Sequence, residues 1–82
     1  MKQRDYETLR QHLAMNIKAF RREHALSQER LSFEADVDRT YVSQIERAVG
    51  NPSLLVIAAL AAALGRDVCE LLSAPPPRQR AK

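Results

Sequence analysis

The chain has 82 residues, of which 45% are hydrophobic, 5% aromatic and 28% charged, with no Trp; this predicts one small, aliphatically packed domain without a separate effector-binding unit. One cysteine, Cys69, and two histidines exclude an internal disulfide framework and a metal-ligand cluster, and fit a reducing cytoplasm. The net charge of +3 belongs to the end of the chain: Arg78, Arg80 and Lys82 supply three positives, while residues 1–77 hold ten basic and ten acidic residues, so nucleic-acid binding requires charge segregated onto one face.

Met1–Arg4 reads as a loose end, and the first eleven residues, MKQRDYETLRQ, are charged and polar, unlike a signal peptide. From about Asp5 to His24, Leu9, Leu13, Ile17 and Phe20 recur at spacings of four, four and three, which predicts a helix. His12 and His24 fall on its surface. Ala25 ends this helix where Gly is favoured, and Leu26 turns back to the core. Ser27 is then the expected N-cap of a second helix, with Glu29 in its first turn where negative charge suits the helix dipole. Gln28 sits at the amino end of that helix, placed to reach a phosphate or to bond only water. Leu31 and Ala35 share one face; Arg30 and Ser32 look solvent-facing, and Phe33 lies off the stripe, at the core edge or against a partner.

Asp36 stands where the chain must leave the second helix, and Asp tolerates a left-handed backbone. Val37 folds back as an apolar plug, and Asp38 is the expected N-cap of a third helix, about Arg39 to Arg47. Two short helices joined by so tight a turn make a helix-turn-helix. With Val42 and Ile45 inward, Arg39, Thr40, Ser43, Gln44 and Arg47 lie outward or on the flanks. These types suit base edges: Arg pairs with guanine, Gln with adenine, and Thr touches the thymine methyl. Tyr41 either lays its ring on the core edge or offers its hydroxyl to a backbone phosphate. Glu46 follows Ile45 at the core boundary and needs a partner, because an unpaired buried carboxylate is costly. Arg21, directly after Phe20, is the candidate for this structural ion pair.

Ala48–Pro52 reads as a loop, with the turn formers Gly50, Asn51 and Pro52, and Asn51 would lie close to a DNA backbone if the third helix enters a groove. Ser53 caps a fourth helix, too short to cross a bilayer. Leu54, Ile57, Leu60, Ala61 and Leu64 form its inward stripe, and Leu55, Ala58, Ala59, Ala62 and Ala63 give it a second apolar side that suits a sister subunit. Gly65 ends it. Asp67 and Glu70 form a capping-box pattern at the start of a fifth helix, whose Val68, Leu71 and Leu72 close the bundle or meet a partner. Cys69 reads as packed or interfacial, with no basic neighbour to make it a nucleophile. Pro75, Pro76 and Pro77 then divide a domain of residues 1–74 from a flexible, basic tail of residues 75–82.

From about Leu13 to Leu72 the chain resembles the lambda-repressor-like, Xre/Cro-type helix-turn-helix regulators. The resemblance rests on Arg21, on Leu26-Ser27-Gln28-Glu29-Arg30-Leu31, on Tyr41-Val42-Ser43-Gln44-Ile45-Glu46-Arg47, on Asn51-Pro52-Ser53, and on Leu60 through Gly65. It implies an all-α, compact five-helix bundle. It implies Arg39, Thr40, Ser43 and Gln44 as the base-contacting set, and Gln28, Tyr41, Arg47 and Asn51 as backbone contacts. The Arg21–Glu46 pair matches a structural pair of the family. Asp36 and Ala48 stand where the family has Gly. The run Asp38-Arg39-Thr40-Tyr41 is similar to the recognition helix of restriction–modification controller proteins.

The expected function is therefore a sequence-specific, double-stranded-DNA-binding transcription regulator of the cytoplasm and its nucleoid. It would read a palindromic or near-palindromic operator through the major groove as a homodimer joined by the fourth and fifth helices. The competing reading is an antitoxin-type interaction module. No cofactor, metal, membrane or small-molecule ligand is expected. The chain lacks a Gly-rich phosphate loop and any His/Asp/Ser or Cys/His constellation, which argues against an enzyme.

Overall fold

The apolar spacing of the first helix is realised in α1, Tyr6–Glu23, whose Leu13 and Ile17 are buried, with Asp5 as N-cap accepting from the Thr8 amide at 2.8 Å. In the computed structural model, which describes residues 4–76, four more helices follow: α2 Gln28–Ala35, α3 Arg39–Glu46, α4 Leu54–Leu64 and α5 Val68–Leu72. No strand occurs among the described residues. Residues 1–3 and 77–82 lie outside them, and with them most of the predicted loose end and the basic residues Arg78, Arg80 and Lys82 of the predicted tail. Arg4 is not loose: its guanidinium donates to the Leu72 carbonyl and meets His12 Nδ1 at 2.8 Å, tying the start of the chain to α5.

Each predicted cap is present. Ser27, Asp38 and Ser53 accept from the amides of Arg30, Thr40 and Val56 at 2.9, 2.8 and 3.1 Å. Asp67 and Glu70 make the reciprocal capping box of α5. The carboxyl ends of α1 to α4 also share one form. In each, a residue at positive φ (Ala25, Asp36, Ala48, Gly65) donates to the carbonyl three back, and the next residue reaches five back: Leu26 to Arg21, Val37 to Ser32, Val49 to Gln44, Arg66 to Ala61, at 2.9–3.0 Å. This is the Schellman arrangement, which favours glycine at the positive-φ site because it lacks the Cβ that crowds a left-handed backbone. Here glycine occupies one of four.

The core is made by Leu13, Ile17, Leu31, Val42, Ile45, Ile57, Leu60, Leu64 and Leu71. α1 packs on α3 and α5, α2 on α3 and α4, so α3 is backed by two helices and keeps one side free. Two expectations fail here. The spacing puts Leu54 on the inward stripe of α4, but it is 70% exposed; the buried residues of α4 begin at Ile57. Ser32 was expected in solvent but is buried, its hydroxyl satisfied by donation to the Glu29 carbonyl at 2.7 Å. No helix among the described residues is long and apolar enough to cross a membrane.

Candidate nucleic-acid interface

α3 carries its inward and outward residues as the spacing predicts. Val42 and Ile45 are 0% and 2% exposed, and against that anchor Arg39, Thr40, Tyr41 and Arg47 are exposed, with Ser43 and Gln44 half-buried on the flanks. Asp38 starts the helix, and the Thr40 amide it accepts from holds its carboxyl below the ordinary aspartate value. Asp36, with φ 58° and ψ 44°, makes the sharp exit from α2, and Val37 turns back against the core. α3 thus leaves α2 at an angle fixed by three residues.

Residues of α3 and of the loop after it meet in a cleft of about 180 Å³ between α3 and the start of α4. Tyr41, Gln44 and Asn51 line it together with Val49 and Pro52. Tyr41 borders this cleft beside the core residue Ile45, with 45% of the residue exposed. Gln44 leans on the loop: a Cβ placed on Gly50 would stand 3.3 Å from Gln44 Oε1.

At the other end of α3, Arg21 grips Glu46 with two bonds, Nε to Oε2 at 2.6 Å and Nη2 to Oε1 at 2.9 Å, and its Nη1 donates to the Leu26 carbonyl at 2.8 Å. One guanidinium so ties the end of α1, the approach to α2 and the end of α3. Burial pushes the Glu46 carboxyl up, but the hydrogen bonds from Arg21 and Gln28 and the charge of Arg21 outweigh it and hold its pKa below the ordinary value. The Gln28 amide has a partner within the chain: Nε2 donates to Glu46 Oε1 at 3.0 Å, which ties it back onto α3.

Glu7, Glu23, Glu34, Glu46 and Glu70 are each matched by an arginine: Arg10, Arg66, Arg30, Arg21 and again Arg66. Arg39 and Arg47 make no ion pair among the described residues, so α3 presents two uncommitted guanidiniums. Among those residues no group of acids, histidine or cysteine is placed to hold a metal ion. Cys69 is exposed and not packed in this chain, and the neighbouring Asp67 pushes its thiol up, away from the reactive thiolate.

Residues 17–71 match the family model described as Helix-turn-helix. The chain belongs to that helix-turn-helix family. A hypothetical transcription factor of Neisseria meningitidis is 44% identical over 78 residues, covering 95% of this chain and 72% of the relative. The solved structure of the hypothetical transcription factor NHTF from Neisseria superposes with a TM-score of 0.80 at 41% identity, covering 92% of this chain and 86% of that one. The restriction-modification controller protein C.AhdI from Aeromonas hydrophila gives a TM-score of 0.72 at 37% identity, over 76% of this chain and 94% of that one. This helix-turn-helix protein is accordingly a DNA-binding transcription regulator and not an enzyme, and these relatives lend no support to the antitoxin-type reading.

Three residues whose contacts span the chain do not stand out in the sequence. Asn16 is buried in α1, and its Nδ2 donates to the carbonyls of Glu70, Leu71 and Ser73 at 3.2, 2.8 and 2.7 Å, closing the end of α5. A polar residue beside Ile17 on the buried face was the available signal. Tyr6 and Arg10 both donate to the Gly50 carbonyl, at 3.0 and 3.2 Å, across 44 and 40 residues of chain. Nothing local marks that contact.

Proposed function

We propose that this regulator reads a two-fold-related DNA site as a homodimer, with α3 of each protomer in the major groove. The supporting observation is the division of α3: an apolar side sunk in the core and an exposed side carrying Arg39 and Thr40, followed by Arg47 at its carboxyl end, the two arginines making no ion pair among the described residues. The major groove is about 12 Å wide and admits one helix. Arg39, Thr40, Ser43 and Gln44 form the base-contacting set. Gln28, Tyr41, Arg47 and Asn51 take the phosphates on either side, which supply affinity with little sequence information. Gln28 does so with the second hydrogen of an amide already held by Glu46.

Dimerisation through α4 and α5 is supported by what α4 leaves bare. Leu55 is 80% exposed, and Ala58 and Ala62 continue the same exposed line at helical spacing. An apolar line of this kind on a small domain suits a second copy related by two-fold symmetry. Residues 1–74 form the binding unit, and it acts on the nucleoid DNA of the cytoplasm.

Selection of bound fragments from random DNA with the full chain tests this reading. The expected product is a pair of inverted half-sites about 34 Å apart, one turn of the duplex. Replacing Arg39 by Ala should erase preference at one base pair of each half-site, at roughly 1–3 kcal/mol, whereas Gln28→Ala should weaken all sequences alike. An Arg39→Ala chain that loses equal affinity for selected and shuffled duplexes overturns the base assignment, and an unsymmetrical selected motif overturns the dimer.

A further inference from the structure

The loop of residues 47–53 joins α3 to α4 and borders the base-facing Gln44. Its first part is bound to α3 itself: Arg47, Ala48 and Val49 donate their amides to carbonyls of Ser43, Gln44 and Ile45. Beyond Val49 this support ends. Over residues 50–52, among the described residues, the hydrogen bonds to another element are the two that Tyr6 Oη and Arg10 Nη1 make to the Gly50 carbonyl, at 3.0 and 3.2 Å. The Arg10 guanidinium lies 5.0 Å from the Tyr6 ring centroid, and its Nη2 is held by Glu7 Oε1 at 2.7 Å, so the two donors brace each other. Arg10 keeps this place although its Nε is buried without a hydrogen-bond partner.

The other side of Gly50 meets DNA-facing chemistry. Its backbone, at φ +80°, lies against the Gln44 side chain, near enough that an added Cβ would stand 3.3 Å from Gln44 Oε1 and 3.8 Å from Gln44 Cβ. A first-turn tyrosine and arginine of α1 therefore press a glycine onto a glutamine of α3. We infer that Tyr6 and Arg10 are positioning residues for DNA reading: by clasping the Gly50 carbonyl they hold the loop against Gln44 and fix the reach of its amide. A glutamine side chain left free of this wall spreads over several rotamers, and ordering it on binding costs both affinity and discrimination.

The inference rests on the reading of Gln44 as a base-contacting residue, and the test separates the two. The full-length chain is titrated with the duplex recovered from random DNA, and with the same duplex exchanged at the base pair where Gln44→Ala alters the selected motif. Tyr6→Phe removes one hydroxyl from the surface and keeps the ring. The expected result is a fall of about fivefold in the affinity ratio between the two duplexes, the order of one neutral hydrogen bond. The unfolding midpoint and the salt dependence of binding should stay where they are. In a Gln44→Ala background Tyr6→Phe should have no further effect on the ratio. Arg10→Lys, which keeps the charge and loses the fork of donors, should act in the same direction. Equal loss on both duplexes, no loss, or a loss that persists without Gln44 overturns the positioning role. If Gln44→Ala changes no base preference, it is the assignment of Gln44 that fails, and the inference with it; if Gln44→Ala relaxes preference and Tyr6→Phe does not, Gln44 stands and the clasp falls.

Discussion

The two junctions that flank α3 begin in the same way and are held by different means. The α2–α3 turn and the α3–α4 loop both open with a Schellman end around a non-glycine residue at positive φ, Asp36 in one and Ala48 in the other. The first is complete within three residues: Asp36 turns, Val37 anchors to the core, Asp38 caps α3. The second runs for seven residues and borrows its fixed points from α1, which grips Glu46 with Arg21 just before it and Gly50 with Tyr6 and Arg10 within it. The entry angle of α3 is thus a local property, whereas the setting of its far end is a tertiary one. Substitutions in α1 should therefore damage the end of α3 more than its beginning.

The largest effect is expected from Arg21→Ala. It leaves Glu46, with a side chain only 3% exposed, without its cation. Breaking one half of a buried pair costs about 3–5 kcal/mol, a large part of the stability of a domain this size. Urea unfolding of the natural and substituted chains measures it. A loss below about 1 kcal/mol, the range of surface pairs, would show that α3 is not held from α1.

Acid sharpens the same point. In the natural chain the Glu46 carboxyl sits below its ordinary value of 4.5, so the pair adds stability above that pH and the addition disappears as pH falls through the lowered value. Asp5, Asp38 and Glu70 are lowered as well, by the amides of Thr8, Thr40 and Asp67, and shift in the same sense. Removing Arg21 reverses the sign for Glu46 alone: burial then favours the protonated form, and that chain recovers stability as Glu46 takes up its proton. The gap between the two chains should therefore be widest near neutrality and narrow below pH 4.5, the ordinary glutamate value. A gap independent of pH means that Arg21 acts through packing and not through the carboxylate.

The contrast between local and distant support also explains what could be read from the sequence. Ser27, Asp38, Ser53 and Asp67 were legible because a cap acts within three residues of itself. Val42 and Ile45 were legible because helical spacing fixes a face, and the Arg21–Glu46 pair because a carboxylate at that boundary demands a cation. Spacing does not say how far a core extends, so it carries the inward stripe of α4 on to Leu54, which is exposed. Nor does it show that a hydroxyl can satisfy itself within its own turn, as Ser32 does. Tyr6, Arg10 and the partner of Gln28 depend on where separate helices come to rest, and no short-range pattern contains that.

The smallest effect tests the shared part of the two junctions. Ala48 and Asp36 have nearly equal φ, 57° and 58°, but a left-handed backbone suits Asp better than Ala, whose Cβ meets the carbonyl without a polar side chain to compensate. Glycine removes that crowding at either site and loosens the unfolded chain at either site, which offsets about 0.4–1 kcal/mol of the gain. Ala48→Gly should then stabilise by about 0.5 kcal/mol net, and Asp36→Gly by nothing measurable or slightly less than nothing. Ala25→Gly, at φ 55° and far from α3, should match Ala48→Gly if the effect is conformational. If Ala25→Gly stabilises and Ala48→Gly does not, the added freedom at residue 48 has been felt by the loop beyond it, and the clasp on Gly50 is too weak to hold that loop alone.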